Sequence, residues 1–237
     1  MTEFSGKTVL VTGAAGNLGH AVAETFHQAG AQLALVDLNA DRLREVYAEW
    51  KDSSSCLLIP VDLTDEQSVQ NMVQQTVSRF GRIDILANIA GGFTMGPPAH
   101  ETPVRDWDFM LDINARTMFL VSRAVIPAML EHGGGNIISV AARAAREGKA
   151  NMGPYCVSKA AVITLTETLA AEHKLNNINV NCILPGTIDT PQNREAMSDA
   201  DYSKWVPTTD LANVISFLTS DQAHSVTGAA IPVYGKS

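Results

Sequence analysis

Tyr155 and Lys159 stand four residues apart at the start of a long helical pattern, so about one helical turn puts a phenol and an amine on the same face. A phenol titrates near ~10 and exchanges protons poorly at neutral pH. A neighbouring ammonium stabilises the phenolate, lowers that value and turns the pair into an acid–base device. On a solvent-facing helix the same pair would be an ordinary surface contact.

A second constellation, some 140 residues earlier, changes the weighting. The apolar run Val9-Leu10-Val11 breaks at Thr12 into Gly13-Ala14-Ala15-Gly16-Asn17-Leu18-Gly19, and a helical pattern with Ala21, Val22, Thr25, Phe26 and Ala29 on one face follows. Small residues at Gly13, Gly16 and Gly19 let backbone approach a diphosphate, whose charge suits the amides that open the helix at Asn17 and Leu18. A second apolar run, Leu33-Ala34-Leu35-Val36, ends at Asp37, where a carboxylate can accept from both ribose hydroxyls of an adenosine. Its charge would repel a 2′-phosphate, which favours NAD and leaves NADP the less suited cofactor. The competing reading is a tight turn followed by a solvated aspartate.

The elements that must position these groups alternate along the chain. Short apolar runs at 8–12, 32–36, 56–61, 83–88, 136–140, 179–184 and 229–233 read as strands, and helical patterns fall at 20–29, 40–51, 65–79, 104–131, 153–175 and 209–219. Strands separated by helices imply a parallel α/β sheet, because each crossover must travel back along it. The segments 91–98 and 185–192, rich in Gly, Pro or Thr, each follow a strand and so belong at the carboxyl edge, where open α/β sheets take ligands.

Composition sets outer bounds. The 237 residues suit one domain spanning 1–237, with 46 % hydrophobic residues spread throughout. No apolar run reaches the ~18 residues of a membrane span, and the first residues lack a secretory apolar core, so no membrane association is expected. Cys56, Cys156 and Cys182 read as buried thiols in a reducing, cytoplasmic compartment. The six histidines are scattered without ligand spacing, so no metal site is expected, and a net charge of −8 argues against a nucleic-acid partner.

Together the glycine turn and the Tyr-x-x-x-Lys pair resemble the short-chain dehydrogenase/reductase family over essentially the whole chain. The resemblance implies a single-domain, doubly wound Rossmann fold with a seven-stranded parallel sheet flanked by helices on both faces. It also implies an NAD(P)-dependent oxidoreductase with a small-molecule substrate, usually a homotetramer built on helices such as 104–131 and 153–175; a dimer is the other expectation. In that helix Met118, Phe119, Val121, Ala124, Val125 and Met129 exceed what one core face needs.

Further motifs follow in order. Asp62-Leu63 resembles the family's adenine-contacting pair, and Asn88-Ile89-Ala90-Gly91 resembles its Asn-Asn-Ala-Gly turn. Asn114 matches the helical Asn that holds a water on the proton path behind the lysine. Pro185-Gly186-Thr187-Ile188-Asp189-Thr190 resembles the loop that clamps the nicotinamide amide through Ile188 and Thr190. The catalytic group implied is Tyr155, Lys159 and Asn114, with Tyr155 and Lys159 also among the cofactor contacts, Lys159 through ribose, and a short substrate cap at about 191–206.

Two positions depart from the pattern. Asn17 occupies the middle glycine of the turn, where tolerance of left-handed backbone would let Asn serve. Ala142 occupies the place of the catalytic Ser, thirteen residues before Tyr155, and Ser139 falls on the other face of its strand. That hydroxyl donates to an oxygen that becomes negative as hydride arrives, and losing such a donor costs roughly 3 kcal/mol of barrier. The segments 90–93, 141–145 and 184–205 resemble dihydropteridine reductases, which use NADH, likewise lack the Ser and pass hydride to a quinonoid pterin whose nitrogen takes the charge. The alternatives are therefore a planar heteroaromatic substrate stacked on Phe93 or Trp205, an ordinary ketone or alcohol, and a non-catalytic NAD(H) sensor. Arg143 and Arg146 border the expected cleft.

Overall fold

A computed structural model describes residues 3–236. Its first half runs β1 (Thr8–Thr12), α1 (Asn17–Gln28), β2 (Gln32–Asp37), α2 (Ala40–Val46), β3 (Cys56–Pro60), α3 (Glu66–Phe80) and β4 (Ile85–Asn88). The second half continues with α4 (Val104–Leu111), a π turn (Asp112–Arg116), α5 (Thr117–Glu131), β5 (Gly135–Val140), α6 (Gly153–His173) and β6 (Ile178–Pro185). It closes with β7 (Ile188–Asp189), α7 (Pro191–Ala196), β8 (Val206–Pro207), α8 (Thr208–Leu218) and β9 (Ala230–Val233).

Seven strands form one parallel sheet in the order β3-β2-β1-β4-β5-β6-β9. Chain direction across the sheet reverses between β1 and β4, and the crevice beyond their carboxyl ends is the place a doubly wound sheet offers a ligand. All five residues of β1 are buried because helices cover both faces, which is why the strand reads as continuous hydrophobic sequence rather than alternation. On one face Val22 and Phe26 of α1 pack with Leu211 and Ile215 of α8; on the other, Met72, Val121 and Val162 bring in α3, α5 and α6. The register sets Thr12 beside Asn88, and Asn88 beside Ser139, in one row across three strands at the carboxyl edge.

The structure corrects four expectations and adds one short strand pair. The span 104–131 is not one helix: the π turn divides α4 from α5, and the apolar periodicity runs through it, so the sequence pattern hides one inserted residue. Helix α2 stops at Val46, where Tyr47 leaves helical geometry and sends its hydroxyl to the Ala14 carbonyl at 2.7 Å. The pair β7–β8 is too short to carry a pattern. Cys56 and Cys182 are buried, with burial pushing both thiols up to about 11, but Cys156 is half-buried. Of the apolar excess on α5, Met118, Val121, Val125 and Met129 are core, and Phe119 is the large side chain left exposed. No described helix is long and apolar enough to cross a membrane.

Candidate active site

Tyr155 and Lys159 occupy the first two turns of α6, beside the end of β5. Lys159 is buried and donates to the Val140 carbonyl at 2.8 Å; burial pulls its ammonium down to about 8. The Tyr155 ring meets Phe93 edge-on, with centroids 4.9 Å apart and planes at 88°. Burial pushes the phenol up to about 12, and neighbouring Cys156 adds to the rise. The expected lowering by Lys159 is therefore reversed: the ammonium is committed to a carbonyl and itself disfavoured by burial, so desolvation dominates both groups.

Asn114 sits in the π turn, 2 % exposed, with its side chain fully engaged. Its Oδ1 accepts from Gly92 N–H at 3.0 Å, while Nδ2 donates to the Gly92 carbonyl at 3.1 Å and to Ser158 Oγ at 3.0 Å. Ser158 donates in turn to the Tyr155 carbonyl at 2.9 Å. A Cβ at Gly91 would stand 2.7 Å from Asn114 Oδ1 and 3.1 Å from Lys159 Nζ, so only glycine lets the loop after β4 lie against both. Next to Asn114, a cavity of about 10 Å³ is bordered by Thr12, Asn88, Ser139 and Val140, room for roughly one water.

The glycine turn is built as its residue types require. Gly13 has φ +64°, and a Cβ there would stand 2.9 Å from Ala90; at Gly19 a Cβ would meet the Gly13 carbonyl at 2.1 Å. Gly16 precedes α1 with no side chain capping it, so the amides of Asn17, Leu18 and Gly19 lack intrahelical acceptors. Asn17 is helical, so its position needs no left-handed backbone, and its Nδ2 donates to Gln192 Oε1 of α7 at 2.7 Å. Asp37 closes β2, accepting from Ala15 N–H at 3.0 Å and Asn39 N–H at 3.2 Å, which brings its carboxylate to the rim of the turn.

The remaining expected residues lie along the same edge with mixed engagement. Asp62 is exposed and accepts from both the amide and the hydroxyl of Thr64, which hold its carboxyl below the usual range. Leu63 lines the small cavity with Asn88 and Ala90; Asn88 Nδ2 reaches Ser122 Oγ at 3.3 Å and Ser139 Oγ at 3.5 Å. Pro185 ends β6, Gly186 N–H donates to Val233, and the Ile188 carbonyl accepts from Asn193 Nδ2 at 2.8 Å. Thr190 caps α7, its Oγ accepting from Asn193 N–H at 3.2 Å.

The two candidate stacking rings part company: Trp205 is buried beside Tyr202, whereas Phe93 is 54 % exposed beside the phenol. Arg143 pairs with Glu147 at 3.2 Å and lies over the Tyr234 ring, and Arg146 reaches the Ala230 carbonyl. Sequence reading missed Thr12, whose Oγ accepts from the Ile89 and Ala90 amides and so fastens the β1 and β4 turns together. It also missed Ser158, whose only signal was a polar residue on the inward side of α6. Among the described residues no cluster of three or more His, Cys, Asp or Glu could hold a metal.

Residues 7–201 match the family model described as short chain dehydrogenase. The chain belongs to the short-chain dehydrogenase family. As a short-chain dehydrogenase it is an oxidoreductase. It is 36 % identical over 244 residues to the D-threitol dehydrogenase of Mycolicibacterium smegmatis, covering 98 % of this chain and 93 % of that one. It is 32 % identical over 242 residues to the 2,5-dichloro-2,5-cyclohexadiene-1,4-diol dehydrogenase of Sphingobium indicum, covering 98 % and 96 %. The crystal structure of an NAD+-bound xylitol dehydrogenase superposes with a TM-score of 0.91 at 31 % identity, covering 98 % of this short-chain dehydrogenase and 99 % of the other chain.

Proposed function

We propose that this chain is an NAD(H)-dependent oxidoreductase acting between a small alcohol and its carbonyl. Tyr155 is its acid–base group, and Lys159 and Asn114 support the proton path. The observation that carries the reading is that Asn114 and Lys159 both lie against Gly91 and that Asn114 is tied through Ser158 to the Tyr155 carbonyl, at the edge where the glycine turn and Asp37 also stand.

The residues present fit a nicotinamide dinucleotide. The bare first turn of α1 offers amides to a diphosphate, and the space at Gly13 and Gly19 admits no side chain. Asp37 suits ribose hydroxyls and opposes a 2′-phosphate, which supports NAD over NADP. Asp62, Leu63, Asn88, Ala90, Gly91, Pro185, Gly186, Ile188 and Thr190 would complete the cradle. A bound nicotinamide supplies hydride. Tyr155, protonated at neutral pH, would give its proton to the reduced oxygen, and the Lys159 ammonium would return one to the phenolate and be reprotonated from solvent.

The relatives named for D-threitol, xylitol and a cyclic diol support a small alcohol as substrate. A planar heteroaromatic acceptor is favoured by a different observation: Ala142 brings no hydroxyl to the site, while Phe93 offers an exposed ring beside the phenol. Assays with NADH and NADPH against a panel of cyclic and linear ketones, polyols and a chemically generated quinonoid dihydropterin separate these readings. Tight NADH binding with no turnover of any member would leave a sensor as the better account.

The exposed Trp107, Phe109, Phe119 and Val157 on α4, α5 and α6 support a homo-oligomer, dimer or tetramer. The three free thiols suit a reducing, cytoplasmic setting. We read the chain as one domain, with 191–206 as its substrate cap.

A further inference from the structure

Ser158 is the one hydroxyl of the Tyr155–Lys159 turn that the proton path does not use. It is wholly buried and has two partners, the Tyr155 carbonyl as acceptor and Asn114 Nδ2 as donor. Asn114 grips both backbone groups of Gly92, and the next residue, Phe93, returns to Tyr155 through its ring. Tyr155, Ser158, Asn114, Gly92 and Phe93 thus form a closed circuit. The loop beyond Phe93 is tied again where Gly96 N–H donates to the Asn151 carbonyl at 2.9 Å.

Serine is a poorer helix residue than alanine, and its bond back to Tyr155 is local, so neither explains a buried hydroxyl here. Its use lies with Asn114, whose two amide protons go to the Gly92 carbonyl and to Ser158 Oγ. Without the Ser158 oxygen one of those protons keeps only the Met110 sulfur, 3.9 Å from Nδ2 and a poor acceptor in a buried place, so the amide is drawn to turn toward another partner. Any such turn loosens Gly92.

We propose that Ser158 is a positioning residue that, through Asn114 and Gly92, fixes where the Phe93 ring stands against the Tyr155 phenol. The proposal rests on Tyr155 being the acid–base group for its bearing on turnover, but the circuit itself is tested independently of activity.

The experiment labels the full chain with 3-fluorotyrosine and assigns the Tyr155 resonance by its loss in Tyr155→Phe. Removing the Phe93 ring current in Phe93→Ala displaces that resonance. The expected result is that Ser158→Ala moves it at least halfway to the Phe93→Ala position. Adding Ser158→Ala to Phe93→Ala should then move it no further. Ser158→Cys, which is somewhat larger and keeps only a weak acceptor, falls between and serves if the alanine variant folds poorly. Turnover of the best acceptor in Ser158→Ala should fall about tenfold through misplacement, with NADH binding within about twofold. A Tyr155 resonance unmoved in both Ser158 variants, or displacements that simply add in the double variant, overturns the proposal. Wild-type turnover in Tyr155→Phe would sink the catalytic reading while leaving the circuit to be judged on the resonance alone.

Discussion

Asn114 satisfies both backbone groups of Gly92: its Oδ1 accepts from the amide at 3.0 Å and its Nδ2 donates to the carbonyl at 3.1 Å. The π turn is therefore joined to the loop after β4 at two points, and Gly91 is pressed against the joint. Gly91→Ala would push a methyl to 2.7 Å from Asn114 Oδ1 and 3.1 Å from Lys159 Nζ. We expect a loss of about 1–3 kcal/mol in denaturant melts. Turnover should fall further than cofactor affinity, because the displaced groups are Asn114 and Lys159.

Tyr155→Phe keeps the ring against Phe93 and deletes only the proton donor. Steady-state turnover should drop below about a tenth of wild type, with NADH binding nearly unchanged in a fluorescence titration. A larger residual rate would remove Tyr155 from the chemistry.

The phenol, held up at about 12 by burial, keeps its proton through neutral pH and is ready to donate in carbonyl reduction. Alcohol oxidation needs the phenolate, so its rate should climb with pH through the neutral and alkaline range. Reduction should instead hold level across neutral pH. A pH–rate profile in both directions checks the opposite slopes.

Lys159 carries the stability side of the same site. Its ammonium falls from 10.5 to about 8 on burial, so the folded state is penalised wherever the lysine must stay protonated. That penalty is full below about pH 8 and gone above 10.5. Lys159→Met should therefore unfold at higher denaturant than wild type at pH 7, with the gap closing as pH rises, while turnover collapses. Equal midpoints at pH 7 would show that the bond to Val140 offsets the burial.

Asp37→Ser should weaken NADH binding and narrow its advantage over NADPH by roughly tenfold, read by quench titration with both cofactors. The Ala15 amide also loses its carboxylate acceptor, so the turn itself should loosen.

Ala142→Ser separates the two substrate readings. A gain on ketones follows if the site merely lacks an oxyanion donor, and little change or a loss follows if it is shaped for another acceptor. Rates of wild type and Ala142→Ser on the same ketone panel decide.

The sheet was legible because its strands, buried on both faces, are short apolar runs with helices between them. Gly13, Gly19, Asp37, Tyr155 and Lys159 were legible because each follows a strand or opens a helix, where chain geometry alone puts it at the carboxyl edge. The π turn was not, since Met110, Met118 and Val121 keep an unbroken apolar rhythm across it. The phenol's shift was misread because spacing tells which groups are near and says nothing of how dry they are. Ser158 was passed over because its value depends on Gly92, far away in sequence and brought close by the fold.

The bond from Asn17 to Gln192 spans 175 positions of the chain. The first turn of α1 thus meets α7 only after residue 192 has emerged, and α1 meets α8 later still. Such a contact closes a long loop, whose entropic cost is met before the bond forms. The rim beside the glycine turn therefore takes its full outline only once the carboxyl-terminal elements have joined the sheet and its covering helices.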